Sequence, residues 1–336
     1  MPPLSFAWLA APSLATRGAP AASARPPRLG AHSRSPPLDS RLAPPLPRPA
    51  LHFCCPSCGL PLSSPSPPHE LRCARGHSYN VAKEGHVHLL PPSRADPLRV
   101  QHDQRLAKAS RSFWESGGFA SPRDAVAAEV ARALAAGGAD GPPRLLNAGC
   151  GEGAYLRRLW EEARGAWQLC GTDENKLAVR YAAKRLRGAR FAVAAPHRLP
   201  LEAGSVDAVL SAFAPAVGPV REEFLRVLRP GGALIVARGG STHLEELRRL
   251  AGAAPWRPPK ELTQGFGENY CRVRTKERVE GVALESLLQM TAFVRDAPPE
   301  RQAALQRVVE SGGMELTVDV IVSTHRIWLG TGGEPC

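Results

Sequence analysis

The sequence predicts an α/β fold around a doubly wound, mostly parallel sheet, and three observations carry that expectation. Short apolar runs alternate with helical segments from Arg144 onward. A glycine-rich turn lies directly between the first such run and the first helix, and the β-branched run Leu316–Ser323 looks like a strand added late. Alternation of this kind produces βαβ units, whose strands pair in parallel with helices on the sheet faces.

In order, 145–148 reads as a buried strand, 155–163 as a helix, 168–171 as a strand and 176–186 as a helix. Strands at 191–194 and 206–212 follow, then a helix at 222–228. The turn Arg229-Pro230-Gly231-Gly232 launches a strand at 233–237. This domain is expected to span 143–330. A helical connector at 93–142 precedes it. Leu106, Ala109 and Phe113 are spaced as on one helix face. Ser121-Pro122 reads as a cap followed by proline at the first helical position, with Val126, Val130 and Leu134 behind it and Gly137-Gly138 as the stop.

Residues 1–50 differ in kind. They hold twelve of the 34 prolines and six arginines, with no lysine and Asp39 as the one acid. Too little apolar periodicity remains to offset the entropy of ordering, so a disordered tail is expected. Arginine, serine and alanine with almost no acid is also the composition of a transit peptide, which points to an organelle, with the cytoplasm as the alternative. Six arginines against Asp39 give the tail +5, leaving +7 of the formal +12 for the rest. A basic folded portion favours polyanionic partners. No run of about 18 apolar residues exists, which excludes a membrane-spanning helix.

Leu146-Asn147-Ala148-Gly149-Cys150-Gly151-Glu152-Gly153 places a G-x-G-x-G turn after the first strand. Glycines admit positive φ and a close ligand, and the following helix start offers free N–H groups. A dinucleotide fingerprint needs its third glycine one position later, where this chain has Ala154. A nicotinamide cofactor is therefore disfavoured. Asp173 ends the second strand, where a carboxylate can accept from both hydroxyls of a ribose; capping the next helix is its alternative role. With Asp207 opening a later strand and the R-P-G-G turn, the order resembles the Rossmann-like class I S-adenosylmethionine methyltransferases. That resemblance implies donor contacts from Asn147, Gly149, Gly151, Glu152, Gly153, Asp173 and His197. It also marks a departure, since the family usually carries an acid where this chain has Asn147.

Four of the eight cysteines crowd into the module expected at 51–92. Cys55-x-x-Cys58 and, fourteen residues on, Cys73-x-x-x-His77 supply thiolate and imidazole from two knuckles, the ligand set of one tetrahedral structural zinc. Cys54 would give a poorer C-x-x-x-C knuckle.

The module continues as Gly76-His77-Ser78-Tyr79-Asn80-Val81-Ala82-Lys83-Glu84-Gly85-His86-Val87-His88. With Arg111-Ser112-Phe113, Gly117-Gly118-Phe119, His197-Arg198-Leu199-Pro200, Phe213-Ala214-Pro215, His243-Leu244-Glu245-Glu246-Leu247 and Leu287-Leu288-Gln289-Met290-Thr291, it resembles the bacterial guanine-N1 methyltransferases of 23S ribosomal RNA over about residues 53–328. The resemblance implies methyl transfer from S-adenosylmethionine to N1 of a guanine in a large-subunit hairpin, by a dimer whose zinc modules grip the RNA. Ala216-Val217 and Ala292 depart from the family pattern near the expected base pocket. Phe213 and Pro215 are the residues expected to hold the base, and His197 is a candidate proton acceptor by position. Lys83, Arg94, Arg99, Arg105 and Arg111 are candidate phosphate contacts. Two other functions fit parts of the pattern: a small-molecule methyltransferase, which needs no zinc module, and a non-catalytic ribosome-assembly factor, at which Asn147 would hint.

Overall fold

The computed structural model describes residues 51–64, 69–91, 97–138, 141–214, 218–257 and 270–327. In chain order they form β1 (Glu70–Arg72), β2 (Ser78–Asn80), β3 (His86–His88), α1 (Pro97–Glu115), α2 (Ala120–Ala135), β4 (Arg144–Ala148), α3 (Ala154–Ala163) and β5 (Gln168–Asp173). Then come α4 (Lys176–Arg185), β6 (Arg190–Val193), β7 (Val206–Ala212), α5 (Pro219–Val227), β8 (Leu228–Gly239) and α6 (Glu245–Ala251). The chain closes with β9 (Tyr270–Val279), α7 (Gly281–Met290), α8 (Ala292–Arg295), α9 (Pro299–Glu310) and β10 (Met314–Arg326). The tail at 1–50, with its targeting expectation, lies outside the described residues, as do Arg94, Pro215, Ala216 and Val217.

One sheet of eight strands runs β3-β6-β5-β4-β7-β8-β10-β9, and β1 and β2 form a separate two-stranded sheet. The first six are parallel, while β10 is antiparallel to both β8 and β9. Strands β4 and β7 are buried at every position, as central parallel strands covered on both faces must be. From β4 the order grows outward through β5 to β6, then reverses to β7 and β8 on the other side. That reversal between β4 and β7 is where ligands of doubly wound sheets bind, beyond the carboxyl ends of the strands.

Two apolar layers flank the sheet. One gathers Val126 of α2, Leu156 of α3, Val179 of α4, Leu247 of α6 and Leu284 of α7. The other joins Phe224 of α5 to Leu51, Phe53, Leu62, Cys55 and Cys73 of the cysteine-rich module. The module is thus part of the domain's own core, and its β3 extends the sheet by pairing with β6.

Several expected boundaries shift for physical reasons. Helix α2 begins at Ala120, before the expected cap Ser121, because Phe119 leaves the chain in a left-handed conformation (φ 40°) while its ring packs on Phe113 at 4.9 Å. Helix α5 starts at Pro219, whose ring suits a first helical turn. The R-P-G-G turn lies inside β8: Leu228 already pairs with Val206, and the register then shifts before Ala233 meets Ala208. Asp207 accepts the Arg144 N–H at 2.8 Å and pairs with Arg229, so it ties the amino ends of the strands together, away from the ligand end. Strand β9 and helices α6 to α9 were not expected. No helix among the described residues is long and apolar enough to cross a membrane.

Candidate active site and zinc site

The four ligand atoms of Cys55, Cys58, Cys73 and His77 all lie within 4.8 Å of one another. Cys58 Sγ stands 3.6 Å from Cys73 Sγ, and His77 Nδ1 stands 3.5 Å from Cys55 Sγ and 3.4 Å from Cys73 Sγ. Bonds of about 2.3 Å to sulfur and about 2.0–2.1 Å to nitrogen put tetrahedral neighbours about 3.5–3.8 Å apart, so the set fits one zinc ion. Each knuckle is closed by its own backbone: Gly59 N–H donates to Cys55 O at 2.8 Å and Gly76 N–H to Cys73 O at 2.9 Å. Tyr79 Oη lies 3.3 Å from Cys55 Sγ, the kind of outer contact that orients a ligand. Cys54 stands outside the quartet. Burial, then the charge of Glu202, pushes its thiol up to about 11.

At the sheet's switch point, Gly149, Gly151 and Gly153 all have positive φ (73°, 54° and 88°). A Cβ on Gly149 would come 2.9 Å from the Ala214 Cβ, and one on Gly153 would come 3.0 Å from the Ala182 Cβ. Conformation and space both demand glycine at these two positions. The Gly149 and Cys150 N–H groups donate to Thr172 O at 2.8 and 2.9 Å, which folds the loop back onto β5. Asp173 is buried beside it. Its Oδ2 accepts the Gly151 N–H at 2.9 Å and its Oδ1 accepts the Asn175 N–H at 2.8 Å. Helix α4 is capped by Asn175 and not by Asp173, since Asn175 Oδ1 accepts from both Leu177 and Ala178. Burial raises the Asp173 carboxyl to about 6 despite the two backbone donors, which pull it down. One further lone pair on each oxygen remains for a ligand's hydroxyls.

Glu152 is equally buried. Its Oε1 accepts the Ala154 N–H at 3.2 Å, and Arg185 pairs with its Oε2 at 2.6 Å. Burial pushes it up to about 7, against the pull of Arg185. Asn147 is 1% exposed, and neither its Nδ2 nor its Oδ1 meets a partner among the described residues. It shares a strand face with Leu145, which belongs to the layer that also holds Phe113 and Tyr155. A buried donor and acceptor left open cost about 1–3 kcal/mol each, a cost offset when a polar ligand fills the crevice. The residues present therefore fit a nucleoside with a polar amino-acid tail such as S-adenosylmethionine.

A cavity continues from this loop. Gly149, Gly151 and Glu152 form one side, and Phe113, Trp114, Phe119, Tyr155, Phe213 and His243 supply the aromatic walls. Three of the four non-glycine residues with positive φ among the described residues, Phe119, Phe213 and Leu244, line this one cavity. Left-handed backbone at bulky residues costs on the order of 1–3 kcal/mol and concentrates at functional sites. His243 is 1% exposed, and its Nδ1 accepts the Asp319 N–H at 3.2 Å. Burial, only partly opposed by Asp319, lowers its ring to about 3, so it is neutral and carries its proton on Nε2.

Comparison with known proteins accords with this geometry. Residues 146–236 match the profile of a methyltransferase domain, and residues 53–94 match that of the RlmA N-terminal zinc ribbon. A 23S rRNA (guanine(748)-N(1))-methyltransferase of Streptomyces fradiae is 33% identical over 282 residues, covering 81% of this chain and 95% of that protein. The chain belongs to the 23S rRNA (guanine-N1)-methyltransferase family. A provisionally named 23S rRNA (guanine-N(1)-)-methyltransferase of Micromonospora griseorubida is 35% identical over 62% of this chain and 73% of its own length. One of Bacillus subtilis is 28% identical over 80% and 96%.

In this methyltransferase the structure brings together Asn147, Gly149, Gly151, Glu152, Gly153 and Asp173 at one crevice, with Phe213 across the adjoining cavity. His197 is exposed on the turn after β6 and is not among the residues lining the cavity. Pro215 lies outside the described residues. Sequence reasoning missed the walls supplied by α1 and α7, and it met His243 only within a family motif. Their signal is weak because single side chains, such as Phe113 and Trp114 of α1 and Leu287 and Met290 of α7, meet His243 only in the fold, from positions far along the chain.

Proposed function

We propose that this protein transfers a methyl group from S-adenosylmethionine to N1 of a guanine in large-subunit ribosomal RNA. The observation that carries the reading is the aromatic cavity opening directly onto the glycine loop, so that a flat base and the donor share one wall. S-adenosylmethionine supplies an electrophilic methyl group on a sulfonium. The chain's task is alignment, because in-line placement of two reactants accounts for much of the barrier lowering in such a transfer. The loop at Gly149, Gly151 and Gly153 admits the donor against the backbone. Asp173 holds the ribose hydroxyls, Asn147 and Glu152 take the polar tail, and His197 borders the adenosine side. Phe213 stacks on the guanine, with Pro215 next to it. His243 cannot act as base for the N1 proton, since Nδ1 is engaged by Asp319 and Nε2 already carries hydrogen.

The zinc ion closes Cys55, Cys58, Cys73 and His77 and takes no part in the chemistry, because a four-ligand site leaves no open position. The likeness to the family supports a hairpin substrate and a homodimer whose two zinc modules grip the RNA. The composition of residues 1–50 supports delivery to an organelle, which a fluorescent fusion of that segment tests. N1-methylguanine cannot pair, so reverse transcriptase stops there. Loss of the gene is expected to abolish one such stop in organellar or cytosolic large-subunit RNA, and purified protein with S-adenosylmethionine to restore it. An unchanged stop pattern in both RNAs overturns the reading.

A further inference from the structure

The first zinc knuckle is tied to the loop at 194–201, which follows β6 beside the donor crevice. Arg198 Nη2 donates to Pro56 O at 2.7 Å, between the ligands Cys55 and Cys58. The Cys54 N–H donates to Pro200 O at 2.8 Å. Beside these ties, β3 pairs with β6, and the Leu89 N–H continues that pairing onto Val193 O at 2.9 Å. Side chains follow the same route: Cys55, Cys73 and Leu62 share one apolar layer with Ala192, Leu199 and Leu201. At its other end the loop meets the donor site itself. The Ala194 N–H donates to Asp173 O at 3.0 Å, and the Asp173 carboxylate accepts from Gly151. Helix α5 braces the opposite side, with Arg226 donating to Leu199 O at 3.1 Å and to Leu201 O at 2.9 Å.

We propose that the metal-closed knuckle at 55–58 is a brace for the loop at 194–201, so that zinc occupancy and Arg198 set the affinity for the methyl donor before any RNA arrives. This rests on the reading that the crevice beside Asp173 takes S-adenosylmethionine. The physical reason lies in what fixes Pro56. The ion ties Cys55 and Cys58 to each other; without it the carbonyl that Arg198 grips is held only by the Gly59 N–H to Cys55 O bond and the packing of Cys55 in the apolar layer. The loop then keeps α5 on one side and a looser knuckle on the other, and part of its ordering must be supplied by the donor on binding. Arg198 is a positioning residue, since it acts through the loop.

The test is isothermal titration of the full chain with S-adenosylmethionine, RNA absent, together with hydrogen exchange of the loop. Four proteins are compared: zinc-loaded, zinc-stripped by a chelator, and zinc-loaded Arg198→Ala and Arg198→Lys. Stripping is expected to weaken donor binding tenfold or more and to speed exchange at 194–201. Arg198→Ala is expected to weaken it by about threefold to tenfold, the range of one net hydrogen bond, and Arg198→Lys to recover part of that. Equal affinity in the zinc-stripped protein overturns the proposal. Should the stripped protein unfold, full donor affinity in zinc-loaded Arg198→Ala overturns it instead. If the zinc-loaded native chain binds no donor at all, the methyltransferase reading fails, which is a different result.

Discussion

Asp173 must stay ionised in a place that resists charge. Burial lifts it to about 6, and two backbone donors keep it from rising further. Donor affinity is therefore expected to fall as pH drops through about 6, because a protonated carboxyl loses acceptor capacity. Asp173→Asn should remove that pH dependence and weaken binding by roughly tenfold to a hundredfold, the worth of a hydrogen bond to a charged group. Titration of both proteins with S-adenosylmethionine between pH 5 and pH 8 measures this.

Glu152 poses the complementary case. Its folded value of about 7 lies above the ordinary 4.5, so its contribution to stability is fully present below about 4.5 and is lost as pH rises through about 7. A tenfold difference in proton affinity between the folded and unfolded chain is worth about 1.4 kcal/mol. Glu152→Gln should thus show a smaller drop in thermal midpoint between pH 5 and pH 8 than the native protein, by a few degrees. Of these residues, Asp173 and the glycines were legible from spacing, because the loop demands their chemistry locally. His243 was not: its role comes from Asp319, 76 residues away.

Elements were legible where one strand or helix carries its own signal. Strand β4 and helix α3 follow from a buried run and an amphipathic face. Strand β9 did not, because an edge strand trades apolar alternation for charge. Arg272, Arg274, Lys276 and Arg278 recur at every second position, and Arg272 reaches across to the fully buried Asp319 at 2.7 Å. Helix α1 was legible as a helix but not as a wall. It reads as a connector, yet Ser110, Phe113 and Trp114 face the cavity, and the Asn175 side chain donates to Asp103 O at 2.7 Å to fix it over α4. Phe113 is 1% exposed and packs edge-on to both Phe119 and Trp114. Phe113→Ala is expected to cost about 3–5 kcal/mol, read from urea unfolding of the zinc-loaded protein. A loss under about 1 kcal/mol would mean that α1 does not pack as the aromatic cluster requires.

At the scale of the whole molecule, the sequence divides into a metal module and a sheet domain, and the fold joins them. Cysteine spacing reports the metal site faithfully but carries no information about what the module's apolar side chains meet. Those side chains, Leu51, Phe53, Leu62, Val87 and Leu89, are each nearly fully buried, and they share a layer with Phe224 and Val227 of α5. Burying a large apolar side chain is worth about 1.5–3 kcal/mol, so separating the module from the sheet would expose several such contributions at once. A domain interface that is small and polar lets its two parts melt separately; a shared apolar layer does not. The zinc-loaded protein is accordingly expected to unfold in one calorimetric transition, with the calorimetric and van't Hoff enthalpies equal. Two resolved transitions, the earlier one abolished by chelator, would show that the module melts on its own and that its strand merely leans on the sheet edge.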